Sequence, residues 1–151
     1  MSMFDQIKRT FRNGNSLIRL IYINIAVYIA LQLLLIISRL FNFDFDPLSY
    51  LAIPADLTSI LHRPWTIVSY MFLHEQLFHI LFNMLALYWF GQLFLMFFSQ
   101  KQLVSLYLIG GFAGAIFYVA SYNIFPFFQP VLHQSILMGA SASIMAIIVA
   151  S

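Results

Sequence analysis

LFHILFNMLALYWFGQLFLMFF, residues 77–98, runs for 22 residues without a formal charge. A helix needs about 20 such residues to cross the hydrocarbon core of a bilayer. Two of its side chains, His79 and Asn83, are out of place in lipid. Burying a polar group without a partner costs roughly 2–7 kcal/mol, so both call for an explanation. Positions i and i+4 share a helix face. The imidazole and the amide therefore point the same way.

The rest of the chain has the same character. Apolar residues make up 62% and charged residues 8%, against about 45–50% and about 25% in soluble proteins. Spans are expected at about 20–38, 77–98, 103–122 and 136–151, the last ending without a polar flank. The fold class is all-α, a polytopic transmembrane helix bundle. The first apolar run is too long for a signal peptide, and no small-residue cleavage site follows it. With no Cys, disulfides and thiolate chemistry are excluded. A net charge of +2, not gathered into one patch, gives no reason to expect nucleic-acid recognition.

Charge also sets an expected orientation. Lys8, Arg9, Arg12 and Arg19 precede the first span, which places the N-terminus in the cytoplasm by the positive-inside rule. Asp44, Asp46, Asp56 and Glu75 outnumber Arg39 and Arg63 in the next segment, and Lys101 lies between spans two and three. Residues 1–19 thus form a cytoplasmic basic segment, in which Phe4, Ile7 and Phe11 recur at helical spacing, as in a short interfacial helix. A frayed terminus fits as well. Residues 39–76 are too long for a turn and rich in aromatic rings. They are expected to be an external loop partly sunk into the interface, with Asp56 capping a short helix that Pro64 interrupts.

Gly110 and Gly114 in span three make a small-xxx-small pair, the pattern that lets helices approach closely in lipid. The connection 123–135 carries Pro126 and Pro130 and is expected outside. Span four then enters from outside, with Gly139-Ala140-Ser141 about a turn and a half into it. On this topology His79, Asn83 and Ser141 share one depth, nearer the outer face.

A serine hydroxyl is a weak nucleophile until a base takes its proton and donors meet the developing oxyanion. Ser141 near a helix start has unpaired backbone N–H groups and the positive dipole end. Gly139 permits close helix contact, while His79 and Asn83 are suitable donors. Plainer readings exist for each residue. A transmembrane Ser commonly packs with its hydroxyl bonded one turn back, and an intramembrane Asn is often interhelical glue. A His–Asn pair without a carboxylate or further His makes a poor metal site, so no metal or cofactor is expected. Their shared depth and order point instead to a catalytic site within a membrane.

These residues resemble the rhomboid intramembrane serine proteases. His74-Glu75-Gln76-Leu77-Phe78-His79-Ile80-Leu81-Phe82-Asn83 is similar to that family's second-helix signature, and Gly139-Ala140-Ser141 to the Gly-x-Ser of its fourth helix. The likeness runs from about Ile18 to Ser151. It implies four of six expected spans, with residues 20–151 an incomplete rhomboid-like domain. It implies Ser141 as nucleophile, His79 and Asn83 stabilising the oxyanion with the Ser141 N–H, and His74 and Gly139 in support. His74 matches a histidine regarded in the family as structural or water-organising. The substrates implied are transmembrane proteins.

There are departures. Ala142 stands where many members have Gly, Trp65-Thr66 where many have Trp-Arg, and Leu95 and Met96 where an acid is common. The family's base is a His on its sixth helix, and none of His62, His74, His79 and His133 follows Ser141. The resemblance therefore implies that residues 1–151 alone are inert, a cut or a biosynthetic intermediate held by insertion machinery or the ribosome. A client-binding relative without catalysis is the alternative, and a small transporter lined by His79 and Asn83 is a third. A bacterial inner membrane is the expected location.

Overall fold

Asn15 starts the first long helix, α1 (Ser16–Leu40), its side chain accepting the Ile18 N–H at 3.1 Å. A computed structural model describes residues 5, 11, 14–43 and 46–151. Most of the expected basic interfacial segment, including Phe4 and Ile7, lies outside the described residues. α1 buries a stripe of Leu17, Leu20, Asn24 and Leu31 and exposes Ile29, Leu33, Ile36 and Ile37. In water such a surface would be a liability. In lipid it is the required one, because a helix satisfies its own backbone and apolar side chains face the tails.

Two further helices are long and apolar enough to cross a membrane, α5 (Leu77–Phe97) and α6 (Gln100–Ile124). A capping box joins them as a tight hairpin. The Ser99 hydroxyl accepts the Gln102 N–H at 3.3 Å, and Gln102 Oε1 accepts the Ser99 N–H at 2.8 Å. Two backbone N–H groups at the helix start are thereby paired.

The connection between α1 and α5 is folded. It holds α2 (Pro47–Leu51), the two-residue strand β1 (Ile53–Pro54), α3 (Leu57–His62), α4 (Thr66–Ser69) and a 3-10 turn over Tyr70–Phe72. Asp46 and Asp56 cap α2 and α3, Asp56 accepting from Ser59 N–H at 2.9 Å. Trp65 Nε1 donates to Tyr50 O at 3.1 Å, Arg63 to Ser49 O at 2.6 Å and Ser69 to Leu51 O at 2.6 Å. Ala52, Ile53, Ala55, Tyr70, Met71 and Leu73 are buried. The loop is thus a packed cap of short helices, fixed by side chains that bond backbone carbonyls.

The fourth span differs from expectation. Ile136–Leu137 form a second strand, β2, antiparallel to β1 with Ile53 opposite Leu137 and Pro54 opposite Ile136. The helix, α7, covers only Ser141–Ala150. The apolar run from 136 hides this start, since hydropathy is uniform across strand, turn and helix. The mark is Gly139, whose φ of +116° an L side chain rarely adopts and which no helix contains. Ser141 is therefore the first helical residue rather than a turn and a half inside.

α7 packs against α6 and α5, while α1 lies against α5 and α6. The α6–α7 seam is built of small residues. A Cβ on Gly110 would overlap Ala146 Cβ, and one on Gly114 would overlap Ala142 Cβ, so a Gly-xxx-Gly faces an Ala-xxx-Ala. Ala142 is thus the contact for Gly114. Leucine at 114 is expected to push α7 off α6, lowering stability by about 1–3 kcal/mol, measurable by thermal unfolding in detergent.

Buried polar groups tie the helices to the loop. Asn24 donates to Leu20 O at 2.8 Å and to Tyr107 Oη at 3.3 Å, and Tyr107 donates to Met71 O at 3.0 Å. Tyr70 Oη donates to Gly111 O at 2.5 Å. Each bond gives a hydrophilic atom in lipid the partner it needs.

Candidate active site

Two helix starts lie side by side at the site. α5 begins after Gln76 and α7 after Ala140, and neither cap side chain bonds its helix. The first backbone bonds are Ile80 N–H to Gln76 O at 3.2 Å and Ile144 N–H to Ala140 O at 2.9 Å. Among the described residues, the N–H groups of residues 77–79 and 141–143 have no backbone acceptor. Such an end carries about half a positive charge. Two of them together favour an anion.

Gly139 makes the junction. Its N–H donates to Tyr70 O at 2.9 Å, tying the α7 entry to the 3-10 turn. A Cβ built on it would stand 2.9 Å from both Cε1 and Nε2 of His79 and 3.9 Å from Nδ2 of Asn83. The backbone therefore presses against the His79 imidazole, in a space that no side chain can share. Positive φ and lack of volume are both required here.

His74, His79 and Asn83 form one cluster. The His74 and His79 rings meet edge to face with centroids 5.0 Å apart. Asn83 Nδ2 is 2.9 Å from His74 Nε2, and His74 Nδ1 is 3.3 Å from Phe72 O. His74 is wholly buried. Burial, and then the neighbouring His79, push its pKa from 6.5 down to about 4. A neutral buried imidazole makes stability depend on acid. Because the folded value lies below the unfolded one, the protein loses stability as pH falls from about 6.5 towards 4, by about 3 kcal/mol. Melting curves at pH 7 and 4.5 check this, with His74→Gln expected to flatten the difference.

Ser141 follows the Gly139 contact by two residues. It is exposed at the head of α7, and among the described residues its hydroxyl makes no hydrogen bond. His79, Asn83, Gly139 and His74 thus stand in direct contact, with Ser141 beside them on the adjoining helix end. The other histidines are elsewhere. His62 closes α3 with Nδ1 2.8 Å from Thr58 O, and His133 Nδ1 lies 4.0 Å from Asp56 Oδ1.

Three participants had no mark in the sequence: the Tyr70 carbonyl, the Phe72 carbonyl and the direct His74–Asn83 bond. Asn83 could have pointed to its partner only if 74 had lain on the same helix. It lies before the helix begins, where spacing says nothing about contact.

A family model for the rhomboid domain matches residues 61–151. The chain belongs to the rhomboid family and is an integral membrane protein, and that membership implies a serine-protease kind of activity. No curated protein and no solved structure matches it.

Proposed function

We propose that this chain carries the nucleophile and oxyanion site of an intramembrane serine endopeptidase that cuts transmembrane proteins. Ser141 Oγ attacks the scissile carbonyl while a histidine base, supplied from outside residues 1–151, takes its proton. The carbonyl oxygen becomes an oxyanion held by the Ser141 N–H, His79 and Asn83. The intermediate collapses, the base returns the proton to the leaving amine, and an acyl-serine remains. Water entering from the outer side then hydrolyses that ester. On this reading residues 1–151 alone are inert, and positive charge before α1 keeps the N-terminus cytoplasmic.

The observation that carries the reading is the Gly139 turn, which seats the start of α7 against His79 and beside Asn83. The oxyanion donors and the nucleophile then come from two rigid helix ends, the preorganisation that such catalysis needs. A serine-directed phosphonate tests it. The full-length protein is expected to be labelled at Ser141 and to lose reporter cleavage in proportion. Absence of labelling, with client binding retained, would replace the protease by a non-catalytic binding protein.

Asn83 has its own expected result. Alanine there removes one oxyanion donor and should lower kcat by about 10²–10³ with little change in KM, read from reporter cleavage in proteoliposomes.

A further inference from the structure

We infer that His74 is a positioning residue: as the neutral imidazole protonated on Nδ1, it accepts one N–H of Asn83 and so turns the other towards the oxyanion. This rests on the protease reading and adds to it the device that orients the amide.

Hydrogen-bond accounting leads to the tautomer. Asn83 Nδ2 bears two hydrogens and no acceptor, so His74 Nε2 at 2.9 Å must be the bare nitrogen. The proton is then on Nδ1, facing the Phe72 carbonyl at 3.3 Å, which can only accept. The two contacts agree on one state of the ring. Burial holds it there, because His74 has no exposed surface and a charged imidazole would lose its hydration. The ionisable group facing it is His79, at a ring separation of 5.0 Å. From α1 the nearby polar group is Gln32, which donates to Glu75 O at 2.8 Å, and the α7 entry offers Gly139, neither of them ionisable.

Geometry at Asn83 completes the case. The same Nδ2 lies 3.9 Å from where a Gly139 side chain would begin, so the amide nitrogen sits between His74 and the head of α7. With one N–H committed to His74, the second is left for the reacting side. Should Nε2 of His74 carry a proton, it would meet Nδ2 donor to donor. The amide would then turn over and present its oxygen to an oxyanion, a repulsive arrangement.

The test uses the full-length protein in proteoliposomes. His74→Leu removes the acceptor and is expected to lower kcat about 10–100-fold with KM nearly constant, the range typical of lost outer-shell support. His74→Gln restores an acceptor near the same place and is expected to return kcat to within about threefold of the parent. In an Asn83→Ala background, His74→Leu should cost nothing more, since its route to the reaction is gone. Nitrogen-15 spectra of the unmodified protein should show His74 with a bare Nε2 and a protonated Nδ1, whether or not the leucine variant folds. Equal losses in both backgrounds, or a protonated Nε2, would overturn the assignment. Cleavage that survives Ser141→Ala would instead sink the protease reading, leaving the His74–Asn83 bond to the spectra alone.

Discussion

Ser141→Ala is expected to leave the protein folded and to abolish cleavage of a transmembrane reporter. Ser141 is exposed at the first position of α7, and among the described residues its hydroxyl bonds nothing, so alanine removes no structural contact. Alanine is also the better helix former. Melting temperature should therefore hold or rise slightly. The chemical loss is of another order, because removing the nucleophile of a serine protease costs about 10⁶ in kcat, with residual rate coming only from binding and the oxyanion site. Parallel unfolding curves and cleavage assays check both halves. Cleavage within a factor of ten of the parent rate would remove Ser141 from the reaction.

Gly139→Ala is expected to damage stability and rate together. The position has φ +116°, where an L residue is strained by about 1–3 kcal/mol. The added methyl would also stand 2.9 Å from two atoms of the His79 ring, closer than carbon atoms pack. His79 is an aromatic plane between His74 and the α7 entry, so it has little room to yield. Displacing it shifts the proposed oxyanion donor, and misplacement by about 1 Å can cost about 10² in rate. A fall in unfolding free energy of about 2–4 kcal/mol should accompany that loss. Ala140→Gly is the control: it adds flexibility one residue on without steric pressure, so its effect on rate should be small.

The spanning helices were legible because lipid permits so few solutions. A long uncharged run in α1, α5 or α6 has to be helical when no water is present to serve its backbone. The pair His79 and Asn83 was legible for the same reason, since i and i+4 on a helix have a fixed relation. Asp56 announced its cap, and Gly110 with Gly114 announced a seam. The start of α7 was not legible. Residues 136–151 are apolar whether they extend, turn or coil, and only the conformation of Gly139 separates these states. The pairing of Ile53–Pro54 with Ile136–Leu137 joins segments some eighty residues apart and leaves no periodic trace in either. The Asn83–His74 bond was hidden in the same way, because its acceptor is the side chain of a residue that precedes the helix.

The two-residue ladder between β1 and β2 has a mechanical consequence. It rivets the amphiphilic cap to the doorstep of the serine, three residues upstream of the left-handed glycine kink at most. A force that levers the cap away from the bundle, whether a wedge of lipid or an incoming polypeptide, is shared between that kink and the Tyr70–Gly111 and Tyr107–Met71 bonds. Strain in the cap is thereby carried into the backbone two residues ahead of Ser141.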